Sequence, residues 1–204
     1  MRLYMHPASP NCMAIMMVAS QLGRSLETQF VDLMKGDNAR TEFLSVNPNG
    51  YVPTLIDGEF VLWETIAILQ YLAASTGDTP LWPRDEQKRA DIARWQTWSL
   101  AHWTPALQSF IFQNLFKKMR GMGDPDPAAI AEGETKLERF GGVLNNHLSG
   151  RRFATGDQLT LADISLAAYL VYARQAHIPL ERFPNVARWY DTVAATPSWK
   201  ASHP

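Results

Sequence analysis

The stretch from Thr76 to Arg84 divides this 204-residue chain into two parts that obey different folding rules. Gly77, Pro80 and Pro83 fall within it, enough breakers to end a helix or a strand, so it reads as a linker over 77–84. Before it, short segments alternate between period-2 and period-3.6 patterning. After it, only the helical period is visible. The chain is therefore expected to build an α/β domain over 1–76 and an all-α domain over 85–204.

The first part reads as β-α-β-α-β-β-α. Arg2 to His6 is a strand. Asn11 to Leu22 carries Cys12, Ile15, Met16, Ala19 and Leu22 at helical spacing and stops at Gly23, a residue that readily takes the left-handed conformation of a helix end. Thr28 to Leu33 is a second strand, and Arg40 to Val46 is a short helix ending before Asn47-Pro48. Thr54 to Ile56 and Glu59 to Trp63 flank Asp57-Gly58, a hairpin signal, and Glu64 to Ala74 is helical. A parallel β-α-β unit followed by an antiparallel hairpin makes a small sheet covered by helices. In the second part, Asp85 to Lys118 is a long helical pattern that Pro105 is expected to kink or break. Gly121 to Pro127 is a loop. Further helices are expected over 128–148, 160–173 and 184–195.

Composition narrows the function classes. Apolar residues make up 46% and charged residues 19%, which suits a folded globular chain, and a net charge of −1 offers no long-range attraction for nucleic acid or an anionic membrane. The single cysteine, Cys12, excludes an internal disulfide. The amino terminus lacks the pattern of a secretory signal and no apolar run is bilayer-length, so the expectation is a cytoplasmic protein. No His, Cys or carboxylate pair has metal-ligand spacing and no Gly-rich phosphate loop appears, so no metal is expected.

Three segments carry candidate chemistry. In Pro7-Ala8-Ser9-Pro10-Asn11-Cys12, Ser9 stands before a helix start, where it serves either as a cap or as a donor to a bound thiolate. In Asn47-Pro48-Asn49-Gly50-Tyr51-Val52-Pro53, a cis bond before Pro53 would turn the Val52 N–H and C=O outward to pair with an extended peptide; a plain loop is the alternative. In Trp63-Glu64-Thr65-Ile66, a strand-to-helix junction offers backbone N–H groups and the Thr65 hydroxyl to a carboxylate, and Glu64 to an ammonium group; simple capping by Thr65 is the alternative. Ser9 has no acid–base partner in the pattern, which argues against a serine hydrolase. Ser9-Pro10-Asn11-Cys12 has the frame of a Cys-x-x-Cys redox motif without its first cysteine, and Cys12 is expected to pack inward as a small hydrophobe.

Together these segments resemble the cytosolic glutathione S-transferase family, in a bacterial-type form with a serine in the amino-terminal motif. The resemblance rests on Ser9, on Asn47, Pro48, Gly50, Val52 and Pro53, and on Glu64, Thr65, Ala67, Ile68, Tyr71 and Leu72. Thr160-Leu161-Ala162-Asp163 adds a capping box in the helical half, after Gly156-Asp157. The resemblance implies a thioredoxin-like domain and a carboxy-terminal helical bundle, glutathione as co-substrate, and a homodimer. It implies that Glu64 and Thr65 hold the γ-glutamyl end, that Val52 with cis Pro53 pairs with the cysteinyl backbone, and that Ser9 stabilises the thiolate. Many relatives carry Gln or Lys where this chain has Tyr51, and Lys35 or Arg40 is the alternative contact for the glycine end. The expected reaction is conjugation to an apolar electrophile; a glutathione-dependent peroxidase, isomerase or dehalogenase and a noncatalytic glutathione-binding protein are the alternatives. The electrophile pocket is expected between the domains, lined by Trp98, His102, Trp103, Leu107, Phe110 and Phe112; His102 is read first as a structural or surface residue, with polarisation of a substrate group as the alternative.

Overall fold

A computed structural model describes residues 1–202. The chain divides into two compact units, the first spanning Met1–Trp82 together with the carboxy-terminal helix, the second Pro83–Thr196.

The first unit is a four-stranded sheet in the order β2-β1-β3-β4, made of β1 (Arg2–Met5), β2 (Glu27–Phe30), β3 (Thr54–Asp57) and β4 (Phe60–Trp63). β1 pairs parallel with β2 through the crossover helix α1 (Pro10–Gln21), and antiparallel with β3, which forms a hairpin with β4. The turn is Gly58-Glu59, one residue later than expected, because Asp57 pairs with Phe60 and Gly58 takes the left-handed φ of +60°. β2 ends at Phe30 rather than Leu33: Asp32 folds the chain there by accepting from the Met34 and Lys35 N–H groups. The short helix α2 (Thr41–Leu44) buries Phe43, and α3 (Thr65–Ala74) buries Ile68, Leu69 and Leu72. α1 buries Cys12, Ile15, Met17 and Val18 and packs on α3, closing the core over Leu3 and Leu55.

The second unit is helical. Pro105 neither breaks nor sharply ends the long segment. α4 (Glu86–Trp98) passes into a π-helical turn over Ser99–Trp103, and α5 (Thr104–Ile111) starts with Pro105 in its first turn. The Thr104 N–H bonds to the Ser99 carbonyl five residues back, and the widened turn suits a residue that has no N–H to give. A second π turn, Phe112–Phe116, leads to α6 (Lys117–Met119). α7 (Pro127–His147), α8 (Leu161–Ala167) and α9 (Pro184–Ala194) follow, and residues Ala168–Tyr172 continue α8 as a tighter 3-10 turn. Asp163 is the buried hub of this unit. Its carboxylate accepts from the Thr160 N–H at 2.9 Å, the Thr160 hydroxyl at 3.0 Å, the Ala154 N–H at 2.7 Å and the Trp189 indole at 2.9 Å. Burial pushes its carboxyl above the usual range against the pull of these donors.

The expected helical domain over 85–204 loses its last segment. Helix α10 (Pro197–Ser202), which carries the buried Trp199, packs on α1 and belongs to the first unit. The border between the units falls at Trp82/Pro83, inside the expected linker.

Candidate active site

Strand register decides where the candidate residues lie. Tyr4, near the end of β1, pairs with Thr54 at the start of β3, and Thr54 pairs with Trp63 at the end of β4. Met5 lies beside Phe30 at the end of β2. The segments that carry Ser9, Val52-Pro53, Glu64-Thr65 and the Lys35–Arg40 loop therefore leave or enter the sheet at the same end.

Ser9 is half-buried and caps α1. Its Oγ accepts the Cys12 N–H at 3.4 Å, a long and weak cap, and the Asn11 N–H makes no hydrogen bond among the described residues. Two bonds from His6 hold the turn behind it: the Ser9 N–H donates to the His6 carbonyl at 2.9 Å, and the Ala8 N–H donates to His6 Nδ1 at 3.1 Å. Cys12 is fully buried. Burial pushes its thiol up, against hydrogen bonding from the Ser9 side chain and the His6 backbone, which leaves it the inert core residue expected.

The Val52–Pro53 bond is cis. The Val52 N–H and C=O make no hydrogen bond among the described residues, so a donor and an acceptor stand ready for an extended partner. The loop is held from below by Asn47, which is buried. Its amide donates to the Tyr51 carbonyl at 2.7 Å and to Thr54 Oγ1 at 3.0 Å, while its oxygen accepts from the Asn49 N–H and side-chain amide. Asn38 adds a bond to the Gly50 carbonyl at 2.9 Å. Gly50 has φ +66°, and a Cβ there would stand 3.1 Å from the Asn38 carbonyl oxygen. Sequence reading did not assign Asn38 and Asn47 these holding roles. The available signal was an Asn three residues before a Gly-x-x-Pro run, which suits a side chain that copies backbone hydrogen bonds.

Glu64 turns the chain from β4 into α3 with φ +74°, a conformation that L-residues rarely adopt. No side chain caps α3, and the Thr65, Ile66 and Ala67 N–H groups make no hydrogen bond among the described residues. The expected alternative, Thr65 as an N-cap, is not what is found: Thr65 is the first helical residue. Exposed Glu64 beside these donors forms a surface fit for an α-amino acid head group, with the carboxylate at the helix start and the ammonium on Glu64.

Around this cradle, Tyr51 is 73% exposed, so its ring is open to contact a ligand or another surface. Lys35 pairs with Asp32 at 3.2 Å and Arg40 with Asp37 at 3.0 Å, both at the surface. In the helical unit, Trp98 and His102 come together against Phe140, the His102 ring stacking on it with centroids 4.8 Å apart. A cavity of about 320 Å³ is lined by Arg94, Trp95, Trp98, Val143 and His147. Phe112 retains an exposed face. Trp103, Leu107 and Phe110 correct the expected pocket: all three are buried in the core, Trp103 with its indole donating to the Leu166 carbonyl at 3.0 Å. The helical spacing that suggested a lining places these three on the inward face of the segment.

Two family models match the chain: the glutathione S-transferase N-terminal domain over residues 1–74 and the glutathione S-transferase C-terminal domain over residues 127–192. The chain belongs to the glutathione S-transferase family. Glutathione S-transferase D7 of Drosophila melanogaster is 37% identical over 201 residues, covering 97% of this chain and 86% of that protein. A delta-class glutathione transferase of Nilaparvata lugens superposes with a TM-score of 0.85 at 30% identity, covering 99% of this chain and 92% of the other. A glutathione S-transferase I bound to lactoylglutathione superposes with a TM-score of 0.88 at 26% identity, covering 99% and 97%. The chain is thus a glutathione transferase with glutathione as co-substrate, and the two domains of the glutathione S-transferase fold account for both of its units. No helix is long and apolar enough to cross a membrane, and no group of His, Cys, Asp and Glu among the described residues gathers as a metal site.

Proposed function

We propose that this glutathione transferase seats glutathione along one end of its sheet and attacks an apolar electrophile with the thiolate. The observation that carries the reading is the set of backbone groups without partners among the described residues: N–H and C=O at Val52, and three N–H groups at the start of α3. Val52, beside Pro53, pairs with the cysteinyl backbone as an added strand would. The α3 amides and the Thr65 hydroxyl take the γ-glutamyl carboxylate, and Glu64 takes its ammonium. Lys35, Arg40 or Tyr51 meets the glycine end. Of the aromatic residues expected to meet the electrophile, Trp98, His102 and Phe112 retain surface for it.

Ser9 donates a hydrogen bond to the thiolate and takes no part as a nucleophile. Lowering a thiol pKa from about 8.5 by about two units takes about 2.7 kcal/mol. One hydrogen bond to a charged group supplies about 1.5–3 kcal/mol and the start of α1 about 0.3–1 kcal/mol, so no protein base is required. The thiolate forms a C–S bond and the product leaves as a thioether: in a substitution the leaving group departs with its electron pair, and in an addition the anion that develops on the electrophile takes a proton from water.

The same reading places the protein in the cytoplasm as a homodimer. Edge strand β4 supports self-association, because it has one unpaired edge and exposes the apolar side chains of Phe60, Val61 and Trp63. Ser9→Ala tests the core of the proposal. The thiol pKa of bound glutathione, read from its ultraviolet thiolate absorbance, is expected to rise by one to two units, on the order of a tenfold or larger loss in kcat. Unchanged thiol ionisation and turnover would remove the role. Recovery of oxidised glutathione in place of a conjugate would instead point to peroxidase chemistry.

A further inference from the structure

One of the side chains that hold the turn presenting Ser9 lies outside the motif the family resemblance rests on. His6 follows the end of β1 and makes two local hydrogen bonds. Its carbonyl accepts the Ser9 N–H at 2.9 Å, and its ring Nδ1 accepts the Ala8 N–H at 3.1 Å. The second bond gives the ring a role: Nδ1 serves as the acceptor, which leaves Nε2 facing away from the turn's N–H groups. The half-buried ring is also braced against Phe30 of β2, with centroids 5.4 Å apart. Pro7 and Pro10, on either side of Ala8-Ser9, have no N–H to hold the segment, so the Ala8 and Ser9 N–H groups are the donors through which His6 can hold it.

We propose that His6, through its Nδ1 acceptor, is a positioning residue for Ser9: it holds Pro7-Ala8-Ser9 so that the hydroxyl meets the thiolate of bound glutathione. The inference rests on the role proposed above for Ser9. In this proposal His6 acts through Ser9 and not by contact with a substrate. It acts by narrowing the positions open to the Ser9 hydroxyl, and a hydrogen bond to a developing thiolate depends steeply on that position. Removing the Nδ1 acceptor keeps the carbonyl bond to Ser9 but takes away the bond from the His6 ring to the Ala8 N–H.

The chemistry suggests a rescue. In histidine Nδ1 is bonded to Cγ, as Oδ1 is in asparagine, and an Asn at this place accepts from the N–H two residues on in an ordinary Asx turn. His6→Leu keeps a branch at Cγ but supplies no acceptor. His6→Leu is expected to lower kcat about fivefold and to raise the thiol pKa of bound glutathione by a few tenths of a unit or more, with the KM for glutathione nearly unchanged. His6→Asn is expected to recover most of both losses, although it lacks the ring that meets Phe30. Thermal unfolding of both variants, with glutathione affinity, shows that each is folded. A His6→Leu enzyme with wild-type kcat and thiol ionisation would overturn the proposal, as would a His6→Asn enzyme no better than His6→Leu. If Ser9→Ala shifts thiol ionisation while His6→Leu does not, the His6 inference alone has failed. If Ser9→Ala shifts nothing, the underlying assignment of Ser9 has failed first.

Discussion

Glu64 holds the most telling conformation in the chain. A non-glycine residue at φ +74° costs on the order of 1–3 kcal/mol, and here it stands at the junction where backbone donors gather. Glycine takes such angles readily, so Glu64→Gly is expected to stabilise the fold by about 1 kcal/mol in urea unfolding. The same change removes the carboxylate proposed to hold the ammonium group, so the KM for glutathione should rise at least tenfold. Stability and affinity moving in opposite directions would mark a strained residue kept for binding. A loss of stability would show that the Glu64 side chain supports the fold and weaken the assignment. At this scale the resemblance pointed to Glu64, Thr65, Val52 and Ser9, and each stands at the end of the sheet where the register puts it. The strain at Glu64 was not legible, since no propensity marks a Glu for positive φ.

Helix packing sets the next level. Gly141 and Gly142 are adjacent on α7, yet their surroundings differ. A Cβ on Gly141 would stand 2.7 Å from the ring of Phe183, which is itself buried, whereas one on Gly142 would meet nothing within 4 Å. Alanine improves helix propensity by about 0.8–1.0 kcal/mol, and forcing a methyl into a packed ring costs about 1–3 kcal/mol. Gly142→Ala should therefore raise the melting temperature, and Gly141→Ala should lower it; equal shifts would show that the ring yields easily. The half-buried Tyr190 of α9 gives a pH-dependent counterpart. Burial and neighbouring Asp191 push its phenol up to about 12. Its folded pKa lies above the unfolded value near 10, so its contribution is fully present below about pH 10 and falls as pH rises toward about 12. Urea unfolding at about pH 9 and about pH 11 should show a fall that is smaller in Tyr190→Phe. The helical period was readable for α4, α7 and α9, but the π turn that accommodates Pro105 was not. Its cause is backbone widening, which leaves no mark in side-chain spacing.

For the molecule as a whole, the return of the chain end to the first unit has a direct consequence. Trp199 is 6% exposed on α10, which packs on α1, the helix that Ser9 caps. Replacing a buried Trp by Ala costs about 3–5 kcal/mol, so Trp199→Ala should weaken the glutathione-binding unit although the residue lies 190 positions from Ser9. Loss of glutathione affinity on warming, at a temperature where the wild type still binds, is the expected result. Wild-type thermal behaviour would show that α10 is dispensable to the unit.

What the sequence determined by itself was local. Alternating and helical periods set the order β-α-β-α-β-β-α, Gly and Pro placed the division near residue 80, and Thr160 to Asp163 announced its own capping box, because each of these signals acts over a few residues. Tertiary structure decided what depends on partners distant in the chain. It sent α10 back to α1, drew Trp103, Leu107 and Phe110 into the core and out of any lining, and set His6, Asn38 and Asn47 to hold the turns that carry Ser9 and Val52. Burial and hydrogen-bond geometry come from chain segments that meet only on folding, and no spacing along the chain records where they meet.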